Sequence, residues 1–175
     1  LDVKTIDKTW TLFLDRDGVI NHDKDNDYIR NRGEFCFYDG TLEALSLLAE
    51  KFGRMVVVTN QKGVGKGLMS LDALNDIHAY MLTHIEQAKG RIDKIYFCYD
   101  LSDESPDRKP NPGMAHQAQH DFPEIDMGRS IIVGNGISTM GFGRHAGMFT
   151  VFLGTTHPAP IYTDPVDDVR FDHFI

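Results

Sequence analysis

Residues 10–18 read Trp-Thr-Leu-Phe-Leu-Asp-Arg-Asp-Gly (WTLFLDRDG), and this stretch decides the fold. It begins as a short apolar run and ends abruptly in two carboxylates and a glycine. Such a run is typical of a strand buried in a parallel sheet. Because residues two apart on a strand point the same way, we expect Asp15 and Asp17 to face one site and Arg16 to face away. Gly18 lets the backbone turn sharply after the strand.

Apolar runs of the same kind recur along the chain, and amphipathic segments alternate with them. We expect Asp39 and Gly40 to cap the first helix and Ser70 to cap the second. The alternation predicts an α/β domain with a mainly parallel sheet. The predicted strands are residues 10–14, 55–58, 92–97, 130–133 and 148–153, with a short last strand within 166–175. The predicted helices are residues 41–52, a segment that follows Ser70, residues 113–120 and residues 138–146.

The bulk composition limits the classes of protein to which the chain can belong. A length of 175 residues fits one domain with its own core, so we expect residues 1–175 to form a single domain. A formal net charge of -8 argues against a nucleic-acid partner, which needs a basic surface. No apolar run approaches the ~20 residues that span a bilayer, and no signal peptide is evident. Two cysteines make no disulfide framework. We therefore expect a cytoplasmic monomer without a membrane partner.

A polar segment, residues 18–38, separates the first predicted strand from the first predicted helix. A connection of that length is typical of a functional loop or flap. Its acidic residues fall at the spacing of a calcium loop, but Tyr28 stands where such a loop needs glycine. The preferred interpretation is a solvated flap.

Polar residues also follow the second predicted strand, at the sheet edge where ligands bind in an open α/β fold. Thr59 can donate a hydroxyl hydrogen bond to a phosphate oxygen, and Asn60 follows it. The next segment, residues 62–67, is rich in glycine and offers exposed amides and Lys66. It is not the Walker pattern, and alone it is equally well explained as a flexible surface turn.

Two cations follow the third predicted strand, and an amide follows the fourth. Arg108 and Lys109 lie in a segment that two prolines stiffen at the opening of a helix. A fixed lysine there can offset charge on a nucleophilic aspartate and a phosphoryl group. Taken alone, the segment is equally a basic turn, just as the Asp15–Asp17 pair is equally a solvated turn. Their common position, one motif after each of four strands, is the stronger signal.

This order of motifs resembles the haloacid dehalogenase (HAD) superfamily of phosphatases. Residues 13–21 (FLDRDGVIN), 58–67 (VTNQKGVGKG) and 108–114 (RKPNPGM) look like its subgroup of D,D-heptose 1,7-bisphosphate and histidinol-phosphate phosphatases. The resemblance covers about residues 9–154. It implies a three-layer, Rossmann-like fold with helices on both faces of the sheet and no large cap domain. Substrate choice would then rest on loops and the flap at about residues 18–38.

The resemblance also implies a reaction, a metal and a set of catalytic residues. Asp15 would attack phosphorus, and Asp17 would protonate the leaving oxygen and later activate water. Thr59 and Lys109 would hold the phosphoryl group. The Asp15 carboxylate and the Asp17 backbone carbonyl would hold Mg2+, a hard ion that prefers oxygen ligands.

The substrate implied by the resemblance is a small phosphorylated metabolite. A sugar phosphate or bisphosphate of carbohydrate metabolism, similar to D-glycero-D-manno-heptose 1,7-bisphosphate, comes first, and histidinol phosphate is the alternative. The substrate-binding residues would be Asn60, Arg108 and Lys66.

Two positions and one loop depart from the pattern of the family. Asn135 and Thr139 stand where the family has aspartates, so the site loses two formal negative charges. Asn135 can still offer Mg2+ a neutral oxygen, but we expect weaker metal binding and a less well oriented Lys109. The alternative function is a weakened phosphatase that binds a phosphate ligand but turns over slowly. In the loop where relatives bind zinc, only the thiol of Cys98 remains, so we expect no structural zinc and a buried Cys98.

Overall fold

A computed structural model describes residues 1–156 and 169–171 of the chain. Its centre is a parallel sheet with the strand order β3-β2-β1-β4-β5-β6. The strands are β1 Thr11–Leu14, β2 Arg54–Asn60, β3 Lys94–Cys98, β4 Ser130–Gly134, β5 Phe149–Leu153 and β6 Val169–Phe171. The helices are α1 Thr41–Lys51, α2 Lys62–Gly65, α3 Leu71–Gln87, α4 Gly113–Asp121 and α5 Ile137–Ala146, besides 3-10 turns at Val3–Thr5, Arg32–Glu34 and Met127–Arg129.

Two apolar layers cover the two faces of the sheet and confirm the predicted α/β fold. Alternate residues of β1 point to opposite layers, so Leu12 and Leu14 lie in one and Phe13 in the other. The first layer includes buried residues of α1 and α3, and the second includes buried residues of α4 and α5. The sheet therefore has helices on both faces, as predicted.

The predicted strands are all confirmed, with changes in their bounds. β2 is longer than expected, because Thr59 and Asn60 continue its ladder with β3. The last strand falls inside the expected range, at Val169–Phe171. The glycine-rich segment after β2 contains the short helix α2 rather than a flexible turn, and the amides of Val64, Lys66 and Gly67 bond within it.

The caps of the first two long helices differ from each other. Ser70 caps α3, and its Oγ accepts a hydrogen bond of 3.0 Å from the Ala73 amide, as predicted. The N-cap residue of α1 is Gly40, whose backbone lies in the left-handed region with φ +79°. No side chain donates or accepts a capping hydrogen bond at this end of the helix. The prediction that Asp39 would cap α1 was therefore wrong.

The flap, residues 18–38, is more firmly anchored than a solvated loop. Ile20, Ile29 and Phe35 are buried in the first apolar layer. Asn21 pairs with Asp17 and Phe37 in isolated β-bridges that close the ends of the flap. The flap therefore contributes to the core.

The topology brings the loops of the site together. β1 lies between β2 and β4, and the chain leaves β1 toward β2 but returns to β4 on its other side. At such a switch point the carboxyl ends of the strands open a crevice. Asp15 and Asp17 follow the strand at this point.

Among the described helices, none is both long and apolar enough to cross a membrane.

The cap of α3 offers a direct test of the fold. Ser70→Ala removes the side-chain acceptor of the Ala73 amide, and we expect it to lower the free energy of unfolding by about 1 kcal/mol. Ser70→Asp retains an acceptor and should stay within about 0.5 kcal/mol of wild type. Urea denaturation measures both, and an equal loss in the two variants would contradict the assigned cap.

Candidate active site

The Asp15 carboxylate lies at the centre of the site. Its Oδ2 accepts a hydrogen bond of 2.8 Å from Thr139 Oγ1. The same oxygen forms an ion pair of 2.9 Å with Lys109 Nζ. Its Oδ1 accepts the Arg16 amide at 2.8 Å. The Asp15 amide bonds Val133 O at 3.0 Å, which fixes the backbone against β4. The side chain is 14% exposed, so a ligand can reach it while most of it is shielded from water.

Lys109 is buried, and three oxygens hold its ammonium group. Besides Asp15, Nζ bonds Val58 O at 3.1 Å and Thr139 Oγ1 at 3.0 Å. Asn60 fixes the backbone, since its amide group donates to Lys109 O and accepts from Lys109 N. The threonine hydroxyl itself bridges Lys109 and Asp15, so Lys109 keeps a partner at this position. The expectation that Lys109 is less well oriented than beside an aspartate stays a prediction.

Close packing of α5 on β4 places Thr139 in this bridge. A Cβ at Gly134 would lie 2.4 Å from Thr139 Cγ2, so only glycine allows this approach. Thr139 is buried, in the first turn of α5. The helix therefore brings its hydroxyl to the carboxyl end of β1.

The Asp17 carboxylate belongs to a second network. Arg16 donates to both of its oxygens, Asn21 Nδ2 donates at 2.9 Å and Gln61 Nε2 at 3.0 Å. Burial alone raises the pKa of Asp17, but the Arg16 charge and these hydrogen bonds outweigh it, so the pKa lies below its usual value. The prediction that Arg16 faces away was wrong for its guanidinium, which curls back to Asp17.

Arg16 is completely buried and also reaches α3. Its Nη1 lies 3.1 Å from His78 Nε2, and its guanidinium lies 6.0 Å from the ring centre of Phe35. Burial, together with the Arg16 charge, lowers the pKa of His78 to about 3. His78 is therefore neutral near pH 7, and Nε2 accepts the bond, because arginine can only donate.

Gln61 connects the second network to Thr59. Its Nε2 also donates to Thr59 Oγ1 at 2.9 Å. Both side chains are buried at the end of β2. Thr59 therefore uses its hydroxyl oxygen as an acceptor and keeps its hydrogen for another partner.

Asn135 lies against the turn that follows the carboxylates. A Cβ at Gly18, where φ is +82°, would overlap the Asn135 side chain, so the two are in tight contact. Asn135 Nδ2 donates to Thr156 Oγ1 at 2.8 Å, which leaves the carbonyl oxygen of its amide for another partner. The structure thus brings Asn135 beside the segment that holds Asp15 and Asp17.

The other predicted substrate-binding residues lie in the loops at the rim. Arg108 Nε donates to Asp103 at 2.9 Å, while its Nη1 is buried without a partner among the described residues. Lys66 is exposed and lies 5.3 Å from the ring centre of Tyr28 in the flap. Their contact with a substrate stays a prediction. In the structure, the side chain of Asn60 bonds the backbone of Lys109.

The segment before Arg108 carries no metal cluster in the described part of the chain. Cys98 is buried in the second apolar layer, as predicted. Within residues 1–156 and 169–171, no group of three or more His, Cys, Asp or Glu side chains is arranged to hold an ion. The absence of structural zinc stays a prediction.

Sequence reasoning did not single out three residues of the two networks. Asn21 and Gln61 stand inside the quoted motifs FLDRDGVIN and VTNQKGVGKG. Their closeness in sequence to Asp17 and Thr59 could have indicated that they contact these residues. His78 gave no such signal, because only the packing of α3 brings it to Arg16.

Comparison with known proteins connects this geometry to phosphatases. The profile of the polynucleotide kinase 3 phosphatase family matches residues 11–150, from β1 into β5. A D-glycero-alpha-D-manno-heptose-1,7-bisphosphate 7-phosphatase from Burkholderia mallei is 40% identical over 155 residues, which are 83% of this chain and 80% of that protein.

Two solved structures share the fold. The D,D-heptose 1,7-bisphosphate phosphatase from B. bronchiseptica, complexed with magnesium and phosphate, is 30% identical with a TM-score of 0.77, over 83% of this chain and 81% of that one. A HAD-like phosphatase from Mesorhizobium loti is 28% identical with a TM-score of 0.73, over 90% of this chain and 76% of that one.

The buried neutral His78 predicts a particular dependence of stability on pH. The unfolded chain takes up a proton on His78 near an ordinary pKa of about 6.5, whereas the folded protein does so only near 3. Between these values the unfolded state binds the extra proton, so acidification destabilises the fold. The contribution of His78 between pH 8 and pH 5 is about 2 kcal/mol.

His78→Gln isolates this contribution, because glutamine keeps an acceptor for Arg16 but does not titrate. Over the same interval, its free energy of unfolding should fall by about 2 kcal/mol less than that of wild type. Urea denaturation at several pH values measures the difference. Parallel pH curves for the two proteins would show that His78 is not held neutral in the fold.

Proposed function

Because the chain belongs to the polynucleotide kinase 3 phosphatase family of HAD-type phosphatases, we propose that it hydrolyses a phosphomonoester through a phosphorylated Asp15. The observation that carries the proposal is the double contact of Asp15 Oδ2 with Lys109 and Thr139, at the switch point of the sheet. These contacts fix the direction of the carboxylate. A fixed and partly accessible carboxylate is what nucleophilic attack on phosphorus needs.

In the first step, an oxygen of Asp15 forms a bond to phosphorus while the bond from phosphorus to the substrate oxygen breaks. Asp17, which Arg16 holds ionised in the free protein, first takes up a proton from solvent and then gives it to the leaving oxygen. In the second step, Asp17 takes a proton from water, the water oxygen bonds phosphorus, and the bond from Asp15 to phosphorus breaks. The products are the alcohol and inorganic phosphate, and Asp17 releases its proton to solvent, so both aspartates return to their starting states.

The surrounding residues orient the groups and balance their charge. Lys109 stays within 2.9 Å of Asp15 and would offset charge on the phosphoryl oxygens. The hydroxyl hydrogen of Thr59 is available for one of those oxygens. Arg108 Nη1, buried without a partner among the described residues, suits an anionic part of the substrate.

The donor atoms near Asp15 fit Mg2+ in kind. The Asp15 carboxylate, the Asp17 backbone carbonyl and the Asn135 amide oxygen are hard oxygen ligands. Tight contact between Asn135 and Gly18 places that amide beside the Asp15–Gly18 segment. These residues would hold the ion, which when bound would offset the charge of the transferred phosphoryl group. The Asp15 and Asp17 carboxylates are each paired with a cation, Lys109 and Arg16, so this ligand set offers the ion little net negative charge.

The proposed substrate is a sugar bisphosphate similar to D-glycero-D-manno-heptose 1,7-bisphosphate. The Burkholderia mallei relative, a heptose-1,7-bisphosphate 7-phosphatase, supports this choice. Histidinol phosphate serves as the comparison substrate. The reduced charge around Asn135 and Thr139 favours a second candidate, a phosphate-binding protein with slow turnover. A cytoplasmic location and a monomeric state remain predictions from the sequence.

Phosphate release from a panel of sugar phosphates and histidinol phosphate tests the reaction. We expect release that requires Mg2+ and is fastest on the heptose bisphosphate. Asp15→Asn should lower it by about 10³-fold or more, since the nucleophile is lost. Glu50→Gln, the same loss of a carboxylate charge at an exposed position of α1, should leave it unchanged. Full activity of Asp15→Asn would exclude the aspartyl intermediate, and an inert wild type would favour the binding protein.

The metal site has its own test. Asn135→Asp adds a carboxylate to the proposed ligand set and should tighten Mg2+ binding by about tenfold, or ~1.4 kcal/mol. Asn26→Asp makes the same change in net charge on the exposed flap and should not alter the affinity. Isothermal calorimetry with Mg2+ measures both variants. Equal affinity of wild type and Asn135→Asp would show that Asn135 lies outside the metal shell.

A further inference from the structure

The guanidinium of Arg16 is a buried charge whose two edges face different partners. Nε and Nη2 donate to the Asp17 carboxylate at distances between 2.8 and 3.1 Å. Nη1 meets His78 Nε2 at 3.1 Å. Arg16 is 0% exposed, so water does not replace either set of partners. The orientation of the edge that faces Asp17 therefore depends on what holds the opposite edge.

His78 is suited to hold that opposite edge. It is 6% exposed on the buried side of α3, between the core residues Ile77 and Met81. The ring of Phe97 lies 5.7 Å from its ring centre. The neutral imidazole can accept through Nε2 only as the tautomer that carries its hydrogen on Nδ1. The core thus fixes the acceptor, and the acceptor fixes the guanidinium.

We infer that His78 is a positioning residue that acts through Arg16 to hold Asp17 where it can protonate the leaving group. The inference rests on the proposed function, in which Asp17 is the acid and base. His78 touches neither substrate nor the reacting atoms. Without it, Nη1 of Arg16 loses the one acceptor that the described residues provide, and the guanidinium is free to turn toward another. Asp17 would follow, because its two oxygens share three bonds with Arg16.

The dependence on the leaving group separates this role from a general loss of structure. An alkyl oxygen, such as that at C7 of the heptose bisphosphate, needs a proton to leave, whereas 4-nitrophenolate leaves without one. General acid catalysis contributes about 10²–10⁴-fold, and only the alkyl substrate uses it in the first step. The comparison uses kcat/KM, which covers the steps up to the first bond cleavage and excludes the common second step.

His78→Leu removes the acceptor and should lower kcat/KM for heptose 1,7-bisphosphate at least tenfold more than kcat/KM for 4-nitrophenyl phosphate. His78→Gln restores an acceptor and should keep the ratio of the two within about twofold of wild type. His84→Leu, a matched change on the same helix, should also keep it. His84 contacts Phe37 and Tyr80 rather than Arg16. His78→Met replaces His78→Leu if the leucine variant does not fold.

The outcomes distinguish this inference from the proposed function. A wild type that is inert on both substrates contradicts the proposed function. An active wild type whose His78→Leu or His78→Met variant loses both activities in equal proportion, or neither, overturns the positioning role. A folded His78→Gln variant with a tenfold change in the ratio overturns it as well.

Discussion

The site depends on one shared oxygen, Asp15 Oδ2, which receives both the Lys109 ammonium and the Thr139 hydroxyl. Three separate elements meet at this atom: the end of β1, the loop before α4 and the first turn of α5. Each partner is itself fixed, since Lys109 also bonds Val58 O and Asn60 holds its backbone. Removing the Lys109 ammonium would leave the Asp15 carboxylate without its balancing charge.

Thr139 changes the hydrogen bonding of this unit, because the HAD pattern has a carboxylate at its position. An ionised carboxylate could only accept a hydrogen bond, whereas the threonine hydroxyl accepts from Lys109 and donates to Asp15. Asp15 and Asp17 are each balanced by a protein cation, Asp15 by Lys109 and Asp17 by Arg16. The contacts that orient the proposed nucleophile are thus present, while we expect a reduced attraction for a divalent cation. In the proposed reaction, the fixed orientation of Asp15 favours turnover, whereas weaker binding of the divalent cation opposes it.

The fold could be predicted from the sequence because short apolar runs report burial in a parallel sheet directly. The position of the carboxylates after β1 followed from the same runs. What the sequence did not reveal depends on contacts between distant residues. Arg16 contacts His78, which lies 62 positions away, and strand alternation alone predicted the wrong direction for the Arg16 side chain. The bridge at Thr139 depends on close packing over Gly134. Local patterns carry no information on either contact.

The central claim is that Asp15 carries the phosphoryl group during turnover. Rapid acid quenching during hydrolysis of the heptose bisphosphate, followed by mass spectrometry of the peptides, tests it most directly. The account predicts one phosphoryl group on the peptide that contains Asp15, none after the Asp15→Asn change, and disappearance of the label when substrate is exhausted. Turnover with no phosphorylated protein at any quenching time, or with the label on a different residue, would contradict it.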